Sequence, residues 1–278
     1  MASAPDRYGD ELRFALSYAT QAAARILRIA ADRYRIDTKA DHTPVTTADR
    51  EVNTSFIEQV AIRFPDDGVL GEEASRPANS SRTWVIDPID GTQQFILGIP
   101  VFMISIALVE DGRPVVGVAH NPSTRQCYWA SDGAGAYRDG RSIRVSTRDG
   151  VATPATISGA GAEPNPSRLT SDTLLRIRLA PDVQTSPYRF PWPSAFSGCK
   201  VAEGSWDADL YDHTSAHDVA AVCVLTREAG GKVTDRFGAD QRYDRPVRGC
   251  VASNGLVHDE LVRRWAGRPH PQPRPTSS

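Results

Sequence analysis

The stretch Trp84-Val85-Ile86-Asp87-Pro88-Ile89-Asp90-Gly91-Thr92-Gln93-Gln94-Phe95 decides the reading of this chain. Trp84, Val85 and Ile86 form an apolar run of the kind that ends a buried strand. Pro88 has no amide donor and is expected to force the backbone out of a central ladder. Asp87 and Asp90 are therefore placed at a strand end. Their carboxylates are hard ligands close enough to share cations, and Ile89 between them can add only its backbone carbonyl. That donor set suits Mg²⁺, Mn²⁺ or Ca²⁺ rather than zinc. If a helix starts at Gly91-Thr92, its unpaired amides face the same point, where a phosphate is well held. A polar turn with two solvated aspartates has the same D-x-x-D spacing, but the full string after an apolar strand is more specific.

Composition bounds what surrounds this turn. The 278 residues suffice for one large domain or two small packed ones, and 40% hydrophobic content supplies a core. With 32 basic and 34 acidic residues the net charge is -2, so no global field recruits nucleic acid and any anion site must be local. Cys127, Cys199, Cys223 and Cys250 are widely spaced without a C-x-x-C pair. They read as reduced core thiols of a cytoplasmic protein, although an even count leaves disulfides open. The start carries no basic leader with an apolar block behind it, so no signal peptide is expected, and no apolar run is long enough to span a membrane.

From Glu11 to Arg35, apolar residues at Leu12, Ala15, Tyr18, Ala22, Ile26 and Ile29 recur at helical spacing. An extended segment marked by Pro44 leads into a second helix with Val52, Phe56 and Val60 on one stripe and Thr46 or Thr47 as N-cap. Asp49 falls at that helix start, where simple capping would account for it. Glu72 and Glu73 follow the short apolar run Val69-Leu70 and Gly71, at a strand or loop edge where two acids are commonly surface charge. Val101 to Pro122 reads as two strands joined at Asp111-Gly112, a strong hairpin signal. The segment Val151 to Pro193, rich in Pro, Ser and Thr, is expected to hold a short helix near Leu174 and specificity loops. A helix from His217 to Ala229 ends at Gly230-Gly231, and another spans Asp259 to Trp265. Residues 268–278 are Pro-rich and polar, the composition of a disordered tail.

Three ordered motifs carry a family resemblance: Gly68-Val69-Leu70-Gly71-Glu72-Glu73, the string from Asp87 to Thr92, and His217-Asp218-Val219-Ala220-Ala221 followed by Glu228-Ala229-Gly230-Gly231. Over roughly Leu12 to Trp265 the chain resembles the inositol monophosphatase family of metal-dependent, lithium-sensitive phosphomonoesterases. The resemblance implies an α/β (α+β) fold, a five-layer αβαβα sandwich. Residues 1–147 would carry most of the metal site, and residues 148–267 would supply Asp218 and the substrate pocket. It also implies a homodimer and, as substrate, a small-molecule phosphate ester.

Within that resemblance Glu72, Asp87 and the Ile89 carbonyl are expected to hold one Mg²⁺, and Asp87, Asp90 and Asp218 a second. A third ion near Glu72 would carry the attacking water, polarised by Thr92 and Glu72, with Asp49 orienting Thr92 and the water. Gly91 and Thr92 amides would cradle the phosphoryl oxygens. Lys39 and Glu73 support the metals. Two or three Mg²⁺ ions are expected, with Mn²⁺ as a substitute. Asp218, near a helix start, is also placed where a cap would stand.

The first half is similar to histidinol-phosphate phosphatases of the actinobacterial type. The pocket half departs from the pattern: His217 replaces a usual Trp, and Tyr211 replaces a glutamate suited to a polyol hydroxyl or an amine. Tyr211, His217 and Ser194 are expected at the substrate. Trp206 or Tyr211 could stack on a base, whereas Asp207, Asp209 and Asp212 would repel a second phosphate and Ser197 stands where a nucleotidase would place lysine. The expected activity is that of a phosphoric monoester hydrolase acting on histidinol phosphate or an inositol-phosphate-like ester. The alternatives are a nucleotide or amino-sugar phosphatase, and a binding or regulatory homologue without catalysis.

Overall fold

The computed structural model describes residues 7–32, 35–39, 44–149, 157–160, 192–212 and 214–266. The expected helix near Leu174 and the 268–278 tail lie outside them.

Helix α1 (Gly9–Ala31) buries Ala15, Tyr18, Ala22 and Ile26, the stripe its spacing demands. It ends before Arg35, because Asp32 turns extended and its N–H closes on the Arg28 and Ile29 carbonyls. Strands β1 (Ile36–Thr38) and β2 (Pro44–Thr46) form an antiparallel ribbon that delivers the chain to α2 (Thr47–Arg63). Thr46 is the N-cap of α2, in a capping box with Asp49. Val52, Phe56 and Val60 are fully buried on one face of that helix.

Seven strands form the larger sheet, in order β3 (Gly68–Gly71), β4 (Arg82–Asp90), β5 (Met103–Glu110), β6 (Arg113–His120), β7 (Cys127–Ser131), β8 (Gly135–Arg138) and β9 (Arg141–Ser142). Among the described residues of this sheet only β3 and β4 pair parallel. Pro88 does not end β4 as expected. The strand runs on to Asp90, and the ladder to β5 shifts register between Asp87 and Asp90, a bulge that absorbs the missing donor. The β5–β6 hairpin turns at Asp111 and Gly112, both at positive φ (51° and 78°), as a two-residue primed turn requires.

The smaller sheet has the order β10 (Ile157–Ala160), β11 (Ala208–Tyr211), β13 (Cys250–Ser253), β12 (Lys232–Thr234). Helix α4 (Ser194–Ala202) precedes β11, α5 (Ala216–Glu228) follows it, and α6 (His258–Ala266) closes the described chain.

Five layers result from alternation along buried strands. Trp84 and Ile86 of β4 pack against α1 and α2, whereas Val85 between them faces α5 and the small sheet. Helices α4 and α5 sit between the sheets, where Gly198 lies so close to Val222 that a Cβ would meet its Cγ2 at 2.4 Å. Leu210 and Val251 pack outward on Leu261 and Trp265 of α6. This α/β sandwich places the β4 bulge, the starts of α2 and α5 and the start of α4 around one point.

Candidate active site

Asp87, Asp90 and Asp218 each offer a carboxylate oxygen, and the three atoms lie within 4.8 Å of one another. The first two leave the sheet at the β4 bulge and are almost wholly buried. Asp218 arrives on the first turn of α5, in a capping box with Ser215, whose N–H donates to its Oδ2 at 2.6 Å. The Thr214 hydroxyl donates to the same oxygen at 3.0 Å.

Glu72 stands beside this trio, with its carboxyl in hydrogen-bond reach of Asp87. Its Oε1 takes the Lys39 ammonium at 2.5 Å, and Glu73 Oε1 takes it at 2.6 Å. Burial works against the charge on Lys39, but the two glutamates outweigh it and hold the ammonium above its ordinary range.

Next to the metal-ligand candidates lies a hydroxyl relay. Thr92 Oγ1 is 3.5 Å from Asp49 Oδ1 and 3.2 Å from the Ile89 carbonyl, with its proton able to serve either. Asp49 Oδ2 accepts the Thr46 amide at 2.7 Å and hydroxyl at 2.5 Å, so its orientation is set by the helix cap. Gly91 (φ 95°) makes the left-handed turn into the short helix α3 (Thr92–Ile96).

The electrostatics of the site are one-sided, with acids crowded together in a buried place. Burial first, then the charges of Glu72, Asp90 and Asp218, pushes the Asp87 carboxyl well above the ordinary range. Burial and Asp218 push Asp90 up to about 8 against the pull of the Ala195 and Ser194 amides, and burial pushes Asp49 up to about 6. Among the described residues no Lys, Arg or His is ion-paired with Asp87 or Asp90. Three hard, mutually repelling oxygen donors without a counter-charge fit a divalent cation of the magnesium type.

The chain belongs to the inositol monophosphatase family. The family's profile matches residues 10–267. Over 268 residues, 92% of this chain and 97% of the relative, it is 37% identical to a histidinol-phosphatase of Mycobacterium tuberculosis. It is 36% identical to that of Streptomyces coelicolor, over 93% of this chain and 97% of the relative. The solved extragenic suppressor protein suhB of Bartonella henselae superposes with a TM-score of 0.81 at 27% identity, covering 93% of this chain and 99% of that one. The protein is thus a phosphatase, a phosphoric monoester hydrolase of this family, and family members act on small phosphate esters.

The pocket side of this phosphatase differs from expectation. Tyr211 is 1% exposed, with its hydroxyl 3.4 Å from both Ser197 Oγ and the Ser194 carbonyl, so its ring packs beneath α4 and cannot stack on a base. Asp207 is buried and paired with Arg148 at 2.8 Å, Asp212 lies 3.6 Å from Arg236, and Asp209 is buried in β11. None of the three is a bare surface charge facing a second phosphate. His217 keeps a fifth of its side chain exposed, with Nε2 3.8 Å from Asp218 Oδ1. It lines a groove of about 810 Å³ whose wall also includes Gly71 and Thr214, neighbours of Glu72 and Asp218.

Sequence reasoning missed helix α4. Its first two amides, Ser194 and Ala195, donate to the two Asp90 oxygens at 2.9 and 2.7 Å. Proline followed by small residues, Pro193-Ser194-Ala195, is the one local sign of that helix start. The four cysteines are free, three of them buried and Cys127 half-buried.

Proposed function

We propose that this phosphatase hydrolyses histidinol phosphate or an inositol-phosphate-like ester, with Mg²⁺ held by Glu72, Asp87, the Ile89 carbonyl, Asp90 and Asp218. The observation that carries the reading is the convergence of Asp87, Asp90 and Asp218 beside the Thr92–Asp49 pair. Bound there, two or three Mg²⁺ ions, or Mn²⁺, supply charge neutralisation and an acidified water.

The chain's own groups do the rest. Asp49, locked by Thr46, accepts the Thr92 proton, which turns the Thr92 lone pairs towards an attacking water. Glu72, ion-paired with the Lys39 that Glu73 also binds, is the carboxylate that would take that water's proton. The Gly91 and Thr92 amides are free of helical partners and face the phosphoryl oxygens. Ser194 and His217 flank the Asp90/Asp218 pair, and they are the side chains offered to the leaving group.

Histidinol phosphate is supported by the relatives named histidinol-phosphatase and by a flat apolar corner. Trp192 and Phe196 stack at 5.3 Å with Trp206 edge-on to Trp192, next to Pro193 and Ser194. A flat heterocycle suits such rings better than a polyol does. An inositol ester is supported by the 32% identical fructose-1,6-bisphosphatase/inositol-1-monophosphatase of Thermotoga maritima. The reading includes a homodimer, to be measured by sedimentation, and a cytoplasmic location, which suits four free thiols.

Phosphate release should be measured with Mg²⁺ over histidinol phosphate, inositol 1-phosphate, adenosine monophosphate, adenosine 3′,5′-bisphosphate and sugar phosphates. Histidinol phosphate is expected to give the highest kcat/KM, and Asp87→Asn is expected to lose the activity by orders of magnitude while folding. Equal rates in wild type and variant, or no Mg²⁺-dependent release on any ester, would sink the proposal.

A further inference from the structure

We propose that the start of helix α4 is a positioning clamp for Asp90: the amides of Ser194 and Ala195 aim its carboxylate at the cation and so set metal affinity from the far half of the chain. The inference rests on the metal-dependent reading above.

Each clustered acid is oriented by a backbone amide, but by different routes. Asp87 Oδ1 accepts the Ile89 N–H at 2.9 Å, and Asp218 Oδ2 accepts that of Ser215 at 2.6 Å, both within three residues in sequence. Asp90 takes its donors from 104 and 105 residues away, one on each oxygen. A carboxylate oxygen has about two lone-pair directions. One on each is spent on α4, and the remaining pair is left for a cation. The rotamer of Asp90 is therefore determined before a metal arrives, provided that α4 is docked.

The arrangement is reciprocal. The N-cap residue of α4, Pro193, makes no side-chain cap hydrogen bond, so Asp90 supplies the cap across the fold. Pro193 also seats on the phosphate turn: a Cβ on Gly91 would stand 2.6 Å from Pro193 Cγ. At the other end of the helix Glu203, 7% exposed, accepts from Tyr128, Arg138 and Lys200 at 2.6–2.8 Å, tying α4 to the large sheet. The helix is thus fixed at both ends, and one end terminates on a metal-ligand candidate. Donors behind a ligand set its orientation and basicity, and their loss weakens metal binding roughly 10- to 100-fold.

The test exchanges the Ser194 amide for an ester in the full-length protein, which removes the N–H and weakens the Pro193 carbonyl that accepts from the Ser197 amide at 3.0 Å, with Ser194→Ala as the control that keeps both. Mn²⁺ binding is read by electron paramagnetic resonance of the free ion, without turnover. The ester protein should bind Mn²⁺ about 10-fold more weakly, with a melting temperature close to wild type, and Ser194→Ala should bind as wild type does. Wild-type affinity in a folded ester protein, or an equal loss in Ser194→Ala, overturns the clamp. If the ester protein does not fold, hydrogen exchange of the wild-type Ser194 and Ala195 amides decides: protection with and without Mg²⁺ supports the clamp, and its loss on adding Mg²⁺ overturns it. Failure of wild type to bind Mn²⁺ at all would instead remove the metal-dependent reading itself.

Discussion

At the residue scale, the acids of the site are also helix caps, and both roles follow from one geometry. A carboxylate at N3 of a capping box is held by the backbone amide it accepts, and its other oxygen projects from the helix end. Asp49 and Asp218 each stand at N3 of a capping box, so the capping explanation available from sequence was correct, and it does not exclude the proposed catalytic roles. Thr92→Ala removes the hydroxyl between Asp49 and the Ile89 carbonyl without touching a cap. It should lower kcat by about 10²- to 10⁴-fold at unchanged melting temperature, as phosphate release and calorimetry will show. Asp49→Ala removes cap and relay together. Activity should be lost, whereas urea unfolding at pH 8 should show little loss of stability, because the ionised carboxylate that is removed is itself disfavoured by burial.

At the element scale, the β4 bulge and the α3 turn depend on what packs over them. Gly91 has φ 95° and no room beside Pro193 Cγ. Gly91→Ala adds a left-handed strain of about 1–2 kcal/mol and pushes α4 off the turn, so activity should fall further than stability; a comparison of denaturation midpoint and turnover checks this. Helix α2 is different, because its Phe56 is wholly buried with its ring edge-on to Trp84 at 6.1 Å. Phe56→Ala should cost about 3–5 kcal/mol by urea unfolding. The stripes of α1 and α2, the hairpin at Asp111-Gly112 and the Gly230 stop of α5 were legible because period, cap and turn chemistry are local signals. The β4 bulge was not. A proline after an apolar run reads as a strand end unless the partner strand is known to slip register.

At the scale of the whole molecule, the site holds excess negative charge that folding itself concentrates. In the metal-free protein the folded-state pKa of Asp90 is about 8 against an ordinary 3.8. The native state thus keeps a proton that the unfolded state has lost, and stability from this group declines as pH rises through that window. Asp49, at about 6, acts in the same direction. His258 acts oppositely: burial pushes it down to about 4 from 6.5, so stability is lost as pH falls below 6.5, with or without metal. A cation bound as proposed would replace the Asp90 proton. The rise in melting temperature produced by Mg²⁺ should therefore be larger at pH 8 than at pH 6, with protons released on binding; calorimetry in buffers of different ionisation enthalpy measures both. A Mg²⁺ increment independent of pH would contradict the proton-for-metal exchange.

The sequence alone determined the reaction class, through three ordered motifs that resemble one family, and the helices that carry Asp49 and Asp218, whose period and caps rest on residues a few positions apart; it also singled out Asp87 and Asp90 as candidate hard-oxygen ligands. Tertiary structure decided what those groups meet. It brought Asp218 to the β4 bulge, turned Tyr211 under α4 instead of into a pocket, paired Asp207 and Asp212 with arginines and set two amides of α4 on Asp90. Such contacts join segments a hundred residues apart. They are fixed by how layers pack, through burial and register, and no local pattern of side chains encodes them.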